Sequence, residues 1–126
     1  MAIQTSDDVV RVRQQVCVHA VSAGLSLVDQ TKIVTAASEL ARNTLDYGGG
    51  GTVTMEKLDD GIKRGLRLTF EDQGPGIPDI QQALKDGFTS GTGLGLGLGG
   101  ARRLCNEFSI ESTVGVGTRI TIARWK

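Results

Sequence analysis

Glu39 and Asn43 stand four residues apart in an apolar-periodic segment, so on a helix they project from one face. A carboxylate there can take a proton or hold a water, and an amide oxygen can ligate a hard divalent cation. The same pair equally suits a solvated helix face with Arg42 as an ion-pair partner. A second stretch, Asp72-Gln73-Gly74-Pro75-Gly76-Ile77-Pro78, holds both prolines of the chain. Its two glycines let the backbone turn sharply against a flat ligand, and Asp72 supplies an acceptor for an exocyclic amine. The competing reading is a rigid surface turn in which Asp72 bonds its own backbone.

The third stretch is Gly91-Thr92-Gly93-Leu94-Gly95-Leu96-Gly97-Leu98-Gly99-Gly100, followed by Ala101-Arg102-Arg103-Leu104. Alternating glycines expose successive N–H groups that can curl around phosphate oxygens, and a following helix N-terminus adds a favourable dipole. A Gly-x-Gly-x-x-Gly match falls on Gly95, Gly97 and Gly100, but no strand precedes it and no βαβ unit surrounds it, which excludes a Rossmann site. No Gly-x-x-x-x-Gly-Lys-[Ser/Thr] occurs, which excludes a P-loop. A free linker favours Ser and polar residues, whereas leucine fills every intervening position from Leu94 to Leu98. The stretch reads as a lid that orders on a ligand. Arg102 and Arg103 either neutralise phosphate charge or ride on the surface.

The elements that must position these groups follow from periodicity. Val9, Val12, Val16 and Ala20 predict a helix from about Asp7 to Ala23, capped by Ser6 or Asp7 and closed at Gly24. Ile33, Ala37, Leu40 and Thr44, broadened by Val34, Ala41 and Leu45, predict a second from about Asp29 to Tyr47. The run Gly48 to Gly51 ends it. Thr52 to Glu56 and Leu66 to Phe70 alternate as strands around an Asp59-Asp60-Gly61 turn. Glu71 to Pro78 is expected to be a tight loop, and Asp79 caps a short helix to about Lys85. Ala101 to Glu107 reads as helical, with a start a few residues earlier left open, and Phe108 to Ser112 and Thr118 to Trp125 as strands joined through Val114-Gly115-Val116-Gly117. Two hairpins separated by helices predict an α+β fold, a two-layer α/β sandwich with a mixed, mostly antiparallel sheet and helices on one face.

Composition bounds the rest. Eighteen of 126 residues are glycine, clustered in a few loops without a triplet repeat, which excludes collagen. Fourteen basic and fourteen acidic residues cancel, which argues against nucleic-acid binding. No apolar run approaches a membrane span and no signal-peptide core is present, so no membrane and a cytoplasmic location are expected. Cys17 and Cys105 indicate neither a disulfide framework nor a zinc site, and are expected to be reduced, partly buried thiols. His19 stands alone and is expected to be structural or on the surface. One domain spanning residues 1–126 fits the length.

Taken in order, Glu39-Leu-Ala-Arg-Asn43, Asp72-Gln-Gly-Pro-Gly76, Gly93-Leu-Gly-Leu-Gly97 and Gly117-Thr118 resemble the N box, G1 box, G2 box and terminal Gly-Thr of the GHKL ATP-binding family. The resemblance runs from about Asp29 to Trp125. The segments Glu71 to Ile80, Asp86-Gly-Phe88, Gly93 to Leu104 and Ile122 to Lys126 are further similar to the small serine kinases of bacterial stressosomes, within the anti-sigma regulatory group. A stand-alone domain is expected, without the dimerisation helix and phospho-accepting histidine segment of histidine kinases or the transducer domain of gyrase-like ATPases.

The resemblance implies a Bergerat-type ATPase sandwich that uses ATP and Mg²⁺. Glu39 matches the residue proposed as general base toward the attacking hydroxyl. Asn43 matches the magnesium ligand that bridges metal and phosphates. Asp72 matches the aspartate that binds the adenine amine, with Gly74 and Gly76 shaping that pocket. Gly91, Thr92, Gly93, Leu94, Gly95, Leu96 and Gly97 match the lid over the phosphates, and Thr118 matches the threonine that supports adenine through a hydroxyl or a water. The implied activity is phosphorylation of Ser or Thr on STAS-domain antagonist and scaffold proteins, with activation of a PP2C-type phosphatase regulator. Two other outputs stand beside it: sequestering a sigma factor, and nucleotide-sensing with binding alone. Positioning and charge neutralisation are most of what phosphoryl transfer requires, so a base, a metal ligand and an N–H-rich loop suffice.

Overall fold

The computed structural model describes residues 1–80, 84 and 98–126. In chain order these form β1 (Ala2–Ile3), α1 (Ser6–Ser22), α2 (Leu27–Asp46), β2 (Gly51–Asp59), β3 (Arg64–Asp72), α3 (Leu98–Arg103), β4 (Glu107–Thr113) and β5 (Gly117–Trp125). The expected lid from Gly91 to Gly97, the segment Asp86 to Phe88 and most of the expected helix after Asp79 lie outside the described residues.

The five strands form one sheet in the order β1-β2-β3-β5-β4, with every described pair antiparallel. The parallel component expected of a mixed sheet is not found among the described residues. Alternation sorts the two faces. Val53, Leu68, Phe70, Ile120 and Ile122 are buried beneath the helices, whereas Thr54, Glu71 and Arg119 are on the opposite, more open face. The helix layer meets them with Val12 and Val16 of α1 and Ile33, Ala37 and Leu40 of α2, all essentially without exposure. Burying each large aliphatic side chain contributes about 1.5–3 kcal/mol. This α+β sandwich matches the expected architecture.

Both long helices start earlier than periodicity places them. Thr5 caps α1: its hydroxyl accepts from the Asp8 N–H at 3.3 Å, and the Asp8 carboxylate accepts from the Thr5 N–H at 3.1 Å. This reciprocal box replaces the expected Ser6 or Asp7 cap. Ser26 caps α2 through the Asp29 N–H at 3.1 Å, so two apolar residues, Leu27 and Val28, join the first turn while staying exposed. The third helix takes the earlier start that the sequence left open but ends sooner, running Leu98–Arg103 rather than on to Glu107, where β4 already begins.

Two further expectations are overturned. Strand β3 continues through Glu71 and Asp72, which were expected in the loop, because Gly51 and Thr118 pair with Asp72, and Gly51 and Gly117 lack the side chains that would push this backbone away. Cys17 is exposed on α1 rather than partly buried. Cys105 is half-buried as expected, and burial pushes its thiol up to about 11. His19 is structural in its setting, with Nδ1 2.7 Å from the Gln15 carbonyl oxygen one turn back. No described helix is long and apolar enough to cross a membrane.

Candidate functional site

Antiparallel pairing builds the site across three strands. Asp72 at the end of β3 pairs with Thr118 at the start of β5, and Thr118 pairs with Ser112 near the end of β4. The three residues therefore lie side by side in one row, on the same face as Phe70 and Ile120. Above this row runs the C-terminal half of α2, which brings Leu40, Asn43, Thr44 and Tyr47 over it. Ile77 and Leu98 close the cleft between them. The cleft is narrow, with a cavity volume of about 20 Å³, well below the roughly 300–1,000 Å³ of small-molecule sites. Its walls are Leu40, Phe70, Ile77, Leu98 and Ile120, and its polar groups are Asn43, Thr44, Asp72 and Thr118. Flat apolar walls with one carboxylate at the edge suit a heteroaromatic ring carrying an amine.

The glycines on the flank of Asp72 have a packing purpose that composition did not disclose. A Cβ on Gly48 would stand 2.5 Å from Cγ of Asp72, and one on Gly74 would stand 2.8 Å from Cα of Gly48. A Cβ on Gly51 would fall 2.0 Å from the Glu71 carbonyl oxygen, and one on Gly117 2.1 Å from that of Asp72. The run after α2 thus ends the helix and also seats the Asp72 backbone. Termination is visible too: the Gly48 N–H donates to the Asn43 carbonyl and the Gly50 N–H to that of Thr44.

Asp72 is half-buried, and burial raises its carboxyl above the ordinary 3.8. Two backbone N–H groups, from Gly74 at 2.9 Å and from Thr118, pull in the opposite direction. The Gly74 bond is the local turn that the alternative reading of this loop anticipated. It engages one carboxylate oxygen and coexists with the carboxylate lining the cleft.

The other candidates fall as follows. Asn43 is half-buried and lines the cleft. Glu39, one turn earlier, is exposed, does not line the cleft, and makes no hydrogen bond or ion pair among the described residues. Gly76 takes a positive φ of 78° and packs against Thr113, where a Cβ would stand 2.5 Å from the carbonyl oxygen. Gly91, Thr92, Gly93, Leu94, Gly95, Leu96 and Gly97 lie outside the described residues. Arg102 and Arg103 are exposed on α3. Sequence reasoning missed Tyr47, Thr44 and Ser112. Ser112 Oγ accepts from the Ile77 N–H at 2.8 Å and lies 2.8 Å from Thr118 Oγ1. Register with Thr118 was the signal that could have found it.

Metal fit can be judged from the donors. No group of three or more His, Cys, Asp or Glu side chains that could cage an ion occurs among the described residues. A lone amide oxygen from Asn43 fits Mg²⁺, which keeps waters and takes substrate phosphates as its other ligands.

Comparison with known proteins places this geometry. A family model described as histidine kinase-, DNA gyrase B-, and HSP90-like ATPase matches residues 28–126, leaving α1 outside the match. Serine/threonine-protein kinase RsbT of Bacillus subtilis (strain 168) is 47% identical over 123 residues, covering 98% of this chain and 92% of the relative. Anti-sigma F factor of Clostridium novyi (strain NT) is 31% identical over 83% of this chain and 80% of the relative. Anti-sigma F factor of Geobacillus stearothermophilus is 31% identical over 75% of this chain and 68% of the relative. The chain belongs to the histidine kinase-, DNA gyrase B- and HSP90-like ATPase family, and its likeness to RsbT places it among that family's ATP-dependent serine/threonine-protein kinases.

Proposed function

We propose that the chain, acting as one domain in the cytoplasm, transfers the γ-phosphoryl of ATP to a serine or threonine of a STAS-domain antagonist or scaffold protein. The observation that carries this reading is the meeting of Asn43, Asp72 and Thr118 in one cleft with apolar walls. Asp72 accepts from the adenine amine and Thr118 reads the neighbouring ring edge. Gly74 and Gly76 shape the turn beside the base. Asn43 holds Mg²⁺, which neutralises phosphate charge when bound. Gly91 to Gly97, with Thr92, Leu94 and Leu96 among them, close over the phosphates.

Glu39 stands exposed outside the base pocket, one turn before Asn43 on the same helix. In the proposed step the substrate oxygen bonds to the γ-phosphorus while the bond from that phosphorus to the β,γ-bridging oxygen breaks. The hydroxyl proton passes to the Glu39 carboxylate, and ADP leaves. Phosphorylating the antagonist then frees the kinase to bind and activate a PP2C-type phosphatase.

Incubation with labelled ATP, Mg²⁺ and the STAS-domain protein encoded beside this chain tests the reading. Label on a serine or threonine of that protein supports it, and intact binding with no phosphoamino acid sinks it in favour of a nucleotide-sensing switch. A second reading, capture of a sigma factor, draws on the likeness to the anti-sigma F factors. Parallel pull-downs with a sigma factor and a PP2C-type phosphatase separate the two outputs.

A further inference from the structure

The Ser112 hydroxyl sits at a junction where its single proton must be shared out. A serine hydroxyl carries one donor and two acceptor lone pairs. The Ile77 N–H fills one lone pair at 2.8 Å. Two neighbours remain for the rest of its capacity: Thr118 Oγ1 at 2.8 Å and the Gly117 carbonyl oxygen at 3.2 Å.

Two proton orders satisfy this junction. In one, Thr118 donates to Ser112 and Ser112 donates to Gly117, so Thr118 turns only lone pairs toward the cleft. In the other, Ser112 donates to Thr118, and the Thr118 proton is released to point at whatever occupies the cleft. Both orders use the 2.8 Å contact, whose length is typical of an O–H···O bond; the first adds the 3.2 Å bond to Gly117, and the second exchanges that bond for a Thr118 proton that a ring nitrogen in the cleft can accept.

We propose that Ser112 is a positioning residue that sets purine choice: it donates to Thr118 when nucleotide binds and thereby makes Thr118 a donor toward a ring nitrogen. The inference rests on the adenine-site reading above. An ionised Asp72 is an acceptor only. Adenine offers an amine beside an unprotonated ring nitrogen, so an acceptor from Asp72 and a donor from Thr118 match it in both places. Guanine offers a carbonyl beside a ring N–H, the reverse order, and meets two mismatched partners. With Thr118 held as an acceptor, the ring nitrogen of adenine would face a lone pair and half of the discrimination would vanish. Polar mismatches of this kind discriminate more strongly than size does. The same Ser112 oxygen also fastens the Ile77 backbone, so the loop after Asp72 and the Thr118 side chain share one anchor.

Calorimetric titration with ADP and with GDP tests this on the wild-type chain and on Ser112→Ala, Ser112→Thr, Thr118→Ala and the Ser112→Ala/Thr118→Ala pair. Without Ser112 the Thr118 hydroxyl is no longer held with its proton toward the ring nitrogen, which is expected to weaken ADP about tenfold and to leave GDP within about twofold, narrowing the preference. Ser112→Thr keeps the hydroxyl and retains the preference. In the Thr118→Ala background the Ser112→Ala change adds less than about twofold, because its effect runs through Thr118. Equal loss for both nucleotides, or full additivity in the double variant, overturns the proposal. A wild-type chain that prefers ADP while Ser112→Ala keeps that preference overturns the role of Ser112 alone. A wild-type chain that binds neither nucleotide overturns the adenine-site reading and this proposal with it.

Discussion

Arg124 of β5 grips Asp29 in the first turn of α2, with Nη2 and Nε at 2.8 and 2.9 Å from the same carboxylate oxygen. Its Nη1 also donates to the Leu104 carbonyl at 3.4 Å, so one guanidinium joins the helix layer, the last strand and the segment after α3. Both side chains are only 17% exposed, which removes much of the solvent screening that weakens surface pairs.

That pair sets a pH dependence. The bond from Arg124 holds the Asp29 carboxyl below its ordinary 3.8, with help from Ser26 and against the pull of burial. A lowered folded value contributes stability that is present above about pH 4 and lost as pH falls through the folded value. Asp29→Asn should therefore cost about 1.5–3 kcal/mol at neutral pH. It should also flatten the acid side of the stability profile. Urea unfolding at a series of pH values reads both, and an unchanged acid slope would refute the assignment.

Asp72 has the opposite sign. Its carboxyl is raised by burial, so the folded state holds that proton more tightly than the unfolded chain. Stability from this group is present below 3.8 and declines as pH rises through the raised folded value. Asp72→Asn is accordingly expected to be at least as stable as wild type at pH 7. Its ADP affinity should nevertheless fall about 10- to 100-fold, the loss expected for a hydrogen bond to a charged group. Melting curves and ADP titration on the same samples separate a ligand-binding carboxylate from a structural one.

Glu39 and Asn43 should fail differently under the proposed mechanism. Glu39→Gln leaves the cleft lining intact, so ADP binding stays near wild type while phosphorylation slows about 10²- to 10⁴-fold. Asn43→Ala removes the cleft's amide oxygen. The tightening of ADP binding by Mg²⁺, measured against an EDTA control, should shrink toward nothing in that variant. Equal Mg²⁺ enhancement in Asn43→Ala and wild type would remove Asn43 from the metal site.

Gly48→Ala and Gly100→Ala make a matched pair. The first drives a methyl group to 2.5 Å from Asp72 Cγ and must displace the carboxylate or the end of α2. Overpacking of this kind costs about 1–3 kcal/mol, and ADP affinity should drop with it. Gly100 lies inside α3, where an added methyl would meet nothing within 4 Å and the backbone has no positive φ. Alanine there should stabilise by about 0.5–1 kcal/mol. Thermal melting distinguishes the two signs.

Much of this was readable from residue types. The inner stripes of α1 and α2 came from 3.6-residue spacing, and Val9, Val12, Val16, Ala20, Ile33, Ala37, Leu40 and Thr44 are all buried as that spacing requires. The convergence of Asn43, Asp72 and Thr118 followed from motif order. Other features depend on partners distant in the chain. β1 has two residues, too few for any periodicity, and exists because Ala2 and Ile3 pair with Thr52 and Gly51. Thr5 outcompetes Ser6 and Asp7 as cap because the Asp8 carboxylate reaches back to its N–H. Ser112 looks like any serine alternating in a strand until the register sets it opposite Thr118. The purpose of Gly48 and Gly51 was hidden for the same reason, since Asp72 and Glu71 lie some twenty positions away in sequence.

Those glycine contacts invert the usual map of mutational tolerance. A buried aliphatic position such as Val12 or Ile122 accepts a neighbouring aliphatic type at a modest cost. At Gly51 and Gly117 even the smallest side chain meets a backbone carbonyl near 2 Å, and no rotamer relieves it. A saturation scan scored for nucleotide binding should therefore find its least permissive positions in strand-end glycines rather than in the hydrophobic interior. Drift in such a chain is free to rewrite its core and its surface long before it can alter the backbone seam beneath the base.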